Sequence, residues 1–245
     1  MSELSVQLYT VRDALANDFD GTLATLAGLG FTQVEPFRLV DFADQFRQGL
    51  TAYGLAAPTT HMGFLAGDQD AIFELASELG IGIVIEPAVR AEHWQTEEDI
   101  TQIAQGLNAA AEKAAGQGLR VGYHNHHWEF ESRIDGRHAL EVLADKLAPE
   151  VALQIDTYWA YVGRADVPAL LGRLGERVAA LHVKDGDGTL NTKAQVAVGS
   201  GSLPVWDILD AAPDALRVVE LDDTEGDIID ALRDSRGYLL SGRST

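Results

Sequence analysis

The chain has 245 residues, 46% of them hydrophobic, enough to bury the core of one large domain. Its 38 acidic residues against 18 basic ones leave a formal net charge of −20, which argues against a protein that grips the phosphate backbone of nucleic acid. There is no cysteine, so disulfides, thiolate metal sites and catalytic thiols are excluded; the N-terminal run MSELSVQLYT lacks the basic and apolar regions of a leader, and no later segment reaches membrane-spanning length, so a cytoplasmic protein without membrane contact is expected.

Short apolar runs alternate with longer amphipathic stretches along the whole chain, with Gly or Pro at most junctions. A strand over 5–10 (SVQLYT) leads to a helix over 20–30, and a strand over 33–37 (QVEPF) to a helix over 41–54. A third strand, 57–63 (APTTHMG), precedes a helix over 70–80, and a fourth, 82–89 (GIVIEPAV), precedes the long helical pattern 96–118. The fifth strand, 120–128 (RVGYHNHHW), is followed by a helix over 136–147, and the sixth, 151–160 (VALQIDTYWA), by one over 166–178. A seventh strand, 178–186 (VAALHVKDG), and an eighth, 216–224 (LRVVELDDT), are followed by helices over 203–212 and 226–240. Several helices open with Asp or Thr and close with Gly, the expected cap chemistry. Eight strand–helix units in this length predict a single (β/α)8 TIM barrel spanning 1–245, with a doubly wound open sheet as the rival.

Strands 2 to 8 each carry an acid or histidine toward the C-terminal end: Glu35, His61, Glu86, His124, Asp156, His182 and Glu220. In a barrel these ends converge on the face where active sites are built. Alternation then sorts the side chains, because neighbours on a strand point to opposite faces. Gln154, Asp156 and Tyr158 share one face, His182 and Lys184 another, and Glu220 and Asp222 a third. If the intervening apolar residues meet the helices, Asp156, His182 and Glu220 point into the barrel mouth, joined by His124 and His126. Two carboxylates and two imidazoles on consecutive strands suit a divalent transition metal such as Mn²⁺, Fe²⁺, Co²⁺ or Zn²⁺. Any one of them alone is more often a satisfied hydrogen-bonding group than a ligand.

The motifs VQLYTVR, HNHHWEF, QIDTYWA, LHVKDG, VGSGSLPVWDIL and VVELD, in this order, resemble the sugar phosphate isomerase/epimerase family of xylose isomerase-like barrels, specifically members with YHNHxxEF on strand 5. The resemblance implies a metal held by Asp156, His182 and Glu220. The family's fourth ligand is commonly a strand-5 glutamate, where this chain has His124; His124 becomes the fourth ligand, with Glu129 as its alternative. One divalent ion is implied, Mn²⁺ first, with Mg²⁺, Co²⁺, Fe²⁺ or Zn²⁺ as alternatives. Relatives that epimerise ketoses use two metal-bound glutamates, and many carry a histidine where this chain has Trp159; both departures weigh against simple ketose 3-epimerisation.

Glu220, Glu129, Lys184 and His126 are the candidate acid–base groups, and His61, Glu35, Glu86, Trp159 and Tyr158 the candidate substrate contacts, with Trp128 and Phe37 as further stacking surfaces. His127 is read as structural, His93 and Trp94 as part of a lid, and His138 and QTEEDI as solvated helix positions. Backbone N–H groups of GSGSLP (199–204) could bind a phosphate or simply form a tight turn. The expected activity is isomerisation or epimerisation of a sugar, keto-sugar or cyclitol by proton transfer through an enediolate. The alternatives are a lyase or dehydratase on a keto-sugar or keto-inositol, and an endonuclease IV-like nuclease, which the negative charge opposes. The expected partner is a small sugar-derived molecule, not nucleic acid or membrane; a homo-oligomer is left open.

Overall fold

The computed structural model describes residues 4–243. Its eight principal strands are β1 (Leu4–Gln7), β2 (Gln33–Glu35), β3 (Thr59–His61), β4 (Ile83–Glu86), β5 (Arg120–His124), β6 (Ala152–Asp156), β7 (Val178–Val183) and β8 (Leu216–Val219). All are parallel, in one sheet of order β2-β1-β8-β7-β6-β5-β4-β3. Pairing of the last strand with the first decides between the two expected architectures, since an open doubly wound sheet does not join its ends this way. The chain is a TIM barrel.

One seam is sparse. Between β2 and β3 only isolated bridges form, at Gln33 with Ala56 and at Phe37 with His61. Backbone bonds from Val34 N to Ala56 O (2.9 Å), Ala56 N to Thr32 O (2.9 Å) and His61 N to Pro36 O (2.8 Å) carry it. Pro36 and Pro58 lie in this seam and have no N–H to give, which limits the ladder and keeps both strands short.

The outer ring is α1 (Phe19–Gly28), α2 (Ala43–Tyr53), α3 (Gln69–Glu78), α4 (Glu97–Ala115), α5 (Ala139–Lys146), α6 (Val167–Leu174), α7 (Val205–Asp210) and α8 (Ile228–Ser241). Leu153, Ile155, Leu181, Val183, Val219 and Leu221 join these helices in the hydrophobic core. The residues between them, Gln154, Asp156, His182 and Glu220, are left for the barrel axis. In α4 the buried set Ile100, Ile103, Ala104, Leu107, Ala111 and Ala114 follows the helical repeat. No helix among the described residues is long and apolar enough to cross a membrane.

Two strands end earlier than their apolar runs suggest. β6 stops at Asp156, whose Oδ1 accepts the N–H of Trp159 at 2.8 Å and so starts a short helix, Thr157–Val162. β1 stops at Gln7, whose side chain accepts the N–H of Tyr9 and turns the chain into a 3-10 segment, Leu8–Val11. In each case a side chain satisfies a backbone donor that a longer strand would give to its neighbour.

Thr96 and Asp99 form a reciprocal capping box at the start of α4, each side chain accepting the other's backbone N–H at 3.1 Å. Thr96→Ala should lower stability by about 1 kcal/mol. Urea unfolding checks this, and an unchanged midpoint would show that α4 does not depend on its cap.

Candidate metal centre and active site

At the barrel axis one carboxylate gathers donors from four other strands. Glu35, fully buried at the end of β2, accepts from Gln7 Nε2 (2.6 Å), Gln154 Nε2 (2.7 Å), His182 Nε2 (2.6 Å) and the hydroxyl of Thr59. Burial would raise its pKa, but His61, His182 and these hydrogen bonds outweigh that and lower it to about 2. His182 is bonded on both sides, its Nδ1 meeting Glu220 Oε2 at 2.6 Å. Burial opposes its charge, yet Glu220 and Glu35 raise its pKa to about 10, so in this network it is an imidazolium.

Gln154 orients two further imidazoles. Its Nε2 must face the acceptor-only Glu35, so its Oε1 is the atom that meets His61 Nε2 at 2.5 Å and His124 Nδ1 at 2.9 Å. His124 therefore carries its proton on Nδ1, and its Nε2 lone pair is free, 3.8 Å from Asp156 Oδ2. That arrangement is how a second layer of hydrogen bonds prepares a ligating histidine. Asn125 adds a clamp: its amide pairs with the backbone N–H (3.0 Å) and C=O (3.3 Å) of Asp156 and carries the β5–β6 pairing beyond His124 and Gln154.

Ligand atoms of Asp156, His182 and Glu220 lie within 4.8 Å of one another, as do those of His61, His124 and His182. Asp156 has one oxygen committed to Trp159, while Oδ2, though fully buried, makes no hydrogen bond. Lys184 Nζ stands 2.9 Å from Oδ2, an ion pair without hydrogen-bond geometry. Burial pushes the Asp156 carboxyl up to about 6, with Lys184 pulling the other way. A mixed N/O donor set around a buried, hydrogen-bond-free carboxylate oxygen fits a divalent transition metal.

Above these groups lies a cavity of about 430 Å³. Of the expected site residues, His61, His124, His126, Lys184 and Glu220 line it, together with Tyr9, Phe37, Met62 and Asp222. His126 stacks flat on Trp128 (4.2 Å, 6°), and its buried Nδ1 has no partner. Burial, with Lys184 next, pushes its pKa down to about 3, so it is neutral at working pH.

Other expected contacts are spent elsewhere and do not line the cavity. Glu129 accepts from Tyr123 OH (2.7 Å) and His126 N (2.9 Å), bracing the histidine turn; burial pushes its carboxyl up to about 8 against those bonds. Glu86 accepts the N–H groups of Phe64 and Leu65, both at 2.8 Å. Glu35 holds the floor. Tyr158 leaves the strand face with the early end of β6, and its hydroxyl reaches Thr189 O (2.9 Å). Trp159 packs between His127 and Lys184, at 5.5 and 5.6 Å.

Three peripheral expectations need correction. Trp94 is no lid: it is fully buried against Tyr123, and its indole donates to Val89 O, as does that of Trp128 (3.1 Å each). His138 is not solvated; it is buried with Nδ1 2.7 Å from Phe130 O, where the Arg133–Ile134/Arg137–His138 hairpin leads into α5. GSGSLP offers no open phosphate cradle, because the N–H groups of Gly199 (3.0 Å), Gly201 (3.0 Å) and Leu203 (3.1 Å) already bind the Asp185 carboxylate. Gly199 takes φ +90° to make that turn, and a Cβ on Gly201 would collide with Asp185.

The residues that sequence reasoning passed over are Gln7, Gln154 and Asn125. Alternation had placed Gln154 on the face of Asp156, which was a usable signal. Nothing local marked Gln7, whose partner lies 28 residues away.

Comparison with known proteins agrees with the fold. A family model described as xylose isomerase-like TIM barrel matches residues 23–214. A sugar phosphate isomerase/epimerase from Parabacteroides distasonis superposes with TM-score 0.81 at 20% identity, covering 98% of this chain and 94% of that one. The probable 3-DHS dehydratase AsbF of Bacillus anthracis gives 0.77 at 14% identity, covering 99% and 100%. The IOLI protein, solved with a binding zinc atom, gives 0.73 at 14%, covering 98% and 97%. At these identities the likeness is one of fold. No protein of curated function matches the sequence.

Glu86 yields a pH prediction. Burial raises its pKa from 4.5 to about 7, against the bonds from Leu65 and Phe64. A carboxyl with a raised folded pKa contributes stability that is complete below the unfolded pKa and lost as pH rises through the folded one. Glu86→Gln should therefore be more stable than the parent at pH 8, by about 1–3 kcal/mol, and not at pH 4. Urea unfolding at the two pH values tests it; an equal difference at both would remove the assignment.

Proposed function

The chain belongs to the xylose isomerase-like TIM barrel family, and from that premise we propose a divalent-metal-dependent isomerase or epimerase of an unphosphorylated keto-sugar or cyclitol. The convergence of Asp156, His182, Glu220 and the free Nε2 of His124 beneath the cavity carries this reading. These four residues would hold the ion, His182 once it gives up the ring proton on the nitrogen now bonded to Glu220, and the mixed oxygen and imidazole donors suit Mn²⁺, Fe²⁺, Co²⁺ or Zn²⁺. When bound, the ion supplies positive charge to a substrate carbonyl and its neighbouring hydroxyl.

The chain's own groups supply the rest. Phe37, Met62, Pro87 and Ala88 give the cavity an apolar wall for the C–H face of a sugar ring. His126, neutral and on the cavity wall, is the group to accept the proton from the carbon beside the carbonyl. Lys184 is held as an ammonium, because Asp156, Asp222 and Glu220 outweigh its burial, and it is the donor toward oxygen as charge develops there. The substrate is taken as unphosphorylated because the anion-binding turn after β7 is filled by Asp185.

A dehydratase on a similar keto-compound is the second reading. The strand-5 position facing the cavity holds His124 rather than a carboxylate, so a symmetric pair of carboxylate bases is not available for inverting a carbon.

Two experiments test the proposal. Protein purified without chelator should carry about one divalent ion per chain, and Asp156→Ala should lose it; undiminished metal by elemental analysis would move the centre elsewhere. Turnover of a keto-sugar or inosose in D₂O should place deuterium on the carbon next to the carbonyl, with His126→Ala slowing it about 10²-fold or more. Product mass separates the two readings, since dehydration loses water. Complete retention of the original hydrogen would exclude proton transfer to solvent-exchanging groups.

A further inference from the structure

Lys184 lines the cavity and touches two of the proposed ligands, Asp156 and Glu220, at the atoms a metal needs. Its Nζ, 1% exposed at the residue level, lies 2.9 Å from Asp156 Oδ2, 2.8 Å from Glu220 Oε2 and 2.8 Å from Asp222 Oδ2. The three contacts differ in kind. Only the one to Asp222 has hydrogen-bond geometry. Asp156 has no spare oxygen, because Oδ1 is committed to the N–H of Trp159. A divalent ion on Oδ2 and an ammonium on the same atom would bring like charges together at a buried position, where screening is weak.

Asp222 is built to receive the lysine alone. It follows β8 beyond Glu220, on the same face, and Gln195 clamps it from both sides: Nε2 donates to Oδ2 at 2.8 Å, and Oε1 accepts the backbone N–H at 2.7 Å. Gln195 is itself fully buried, in the short pairing of Gln195–Val196 with Asp185–Gly186.

We propose that Lys184 and the metal compete for Asp156 and Glu220: in the metal-free protein the ammonium rests on Asp222 and neutralises both ligand carboxylates, and metal binding takes those two from it and leaves it on Asp222 alone. Lys184 is thus a built-in competitor that sets metal affinity, and Asp222 is the acceptor that keeps it at the cavity wall once the metal has displaced it from the ligands. This inference rests on the metal-centre reading above, and its test reads metal affinity rather than turnover.

The experiment is a double-mutant cycle of Mn²⁺ and Co²⁺ dissociation constants, measured by chelator competition on the full chain. Lys184→Met should bind metal about tenfold tighter or more, because the competing charge is gone. Lys184→Gln, which keeps polar contacts without charge, should do the same and covers the case in which the methionine variant does not fold. Asp222→Asn should weaken binding in the parent, since the lysine then has no acceptor for its retreat, and should lose most of that effect in the Lys184→Met background. Unchanged or weaker affinity in both lysine variants would overturn the competition while leaving a metal centre. Equal weakening by Asp222→Asn in both backgrounds would overturn the role of Asp222. Absence of metal binding in parent and variants alike would overturn the centre and the competition together.

Discussion

A neutral amide sets the protonation of the whole floor of this barrel. Glu35 accepts and cannot donate, so Gln154 must give it N–H and must offer its oxygen to His61 and His124. The direction of one amide therefore fixes the tautomer of His124 and leaves its Nε2 lone pair beside Asp156. A carboxylate at position 154 would repel Glu35 and charge the imidazoles; an apolar residue would leave Glu35 short of a donor and His124 free to turn. The geometry of the candidate ligands is thus inherited from a residue that is not itself one of them.

Charge is handled in the same economical way. Glu35, Asp156, Glu220 and Asp222 crowd around one lysine and one imidazolium, an excess of negative charge that the low-dielectric interior would not tolerate unpaired. That excess would favour a further cation, the charge that a divalent ion would bring. Asp185 shows the opposite solution: the same short stretch that places Lys184 in the cavity also places a carboxylate into the GSGSLP turn, where backbone N–H groups neutralise it. Two adjacent acidic and basic residues on β7's exit thus serve separate ends, one chemical and one architectural.

The barrel and its ligand face were legible because they follow from period and position. Alternation along β6, β7 and the end of β8 put Gln154, Asp156, His182, Lys184, Glu220 and Asp222 on one side, and the structure brings these residues together. What was not legible depended on side chains that interrupt the period. Asp156 ends its strand by capping the next helix, so Tyr158, two residues on, no longer keeps the strand's facing. Glu129 reads as catalytic in a run of histidines, yet Tyr123, on the outward face of β5, claims it. Gln7 meets Glu35 only through the β1–β2 register, and a local window holds no trace of that register.

The sparse joint between β2 and β3 gives the barrel the mechanics of a split ring. Seven strand boundaries are laced by ladders, and at the eighth the two prolines leave little more than isolated bridges. A split ring resists shear around its circumference but widens at the gap under small loads. Phe37 and His61 face each other across that gap, and both border the cavity. Widening there would part the apolar wall from His61, and side-chain bonds cross the joint to resist it, from Thr59 to Glu35 and from Thr60 to Pro36 O (2.9 Å). Because Glu35 also holds Gln154 and His182, a load at this joint is passed to the candidate ligand side rather than absorbed at the gap.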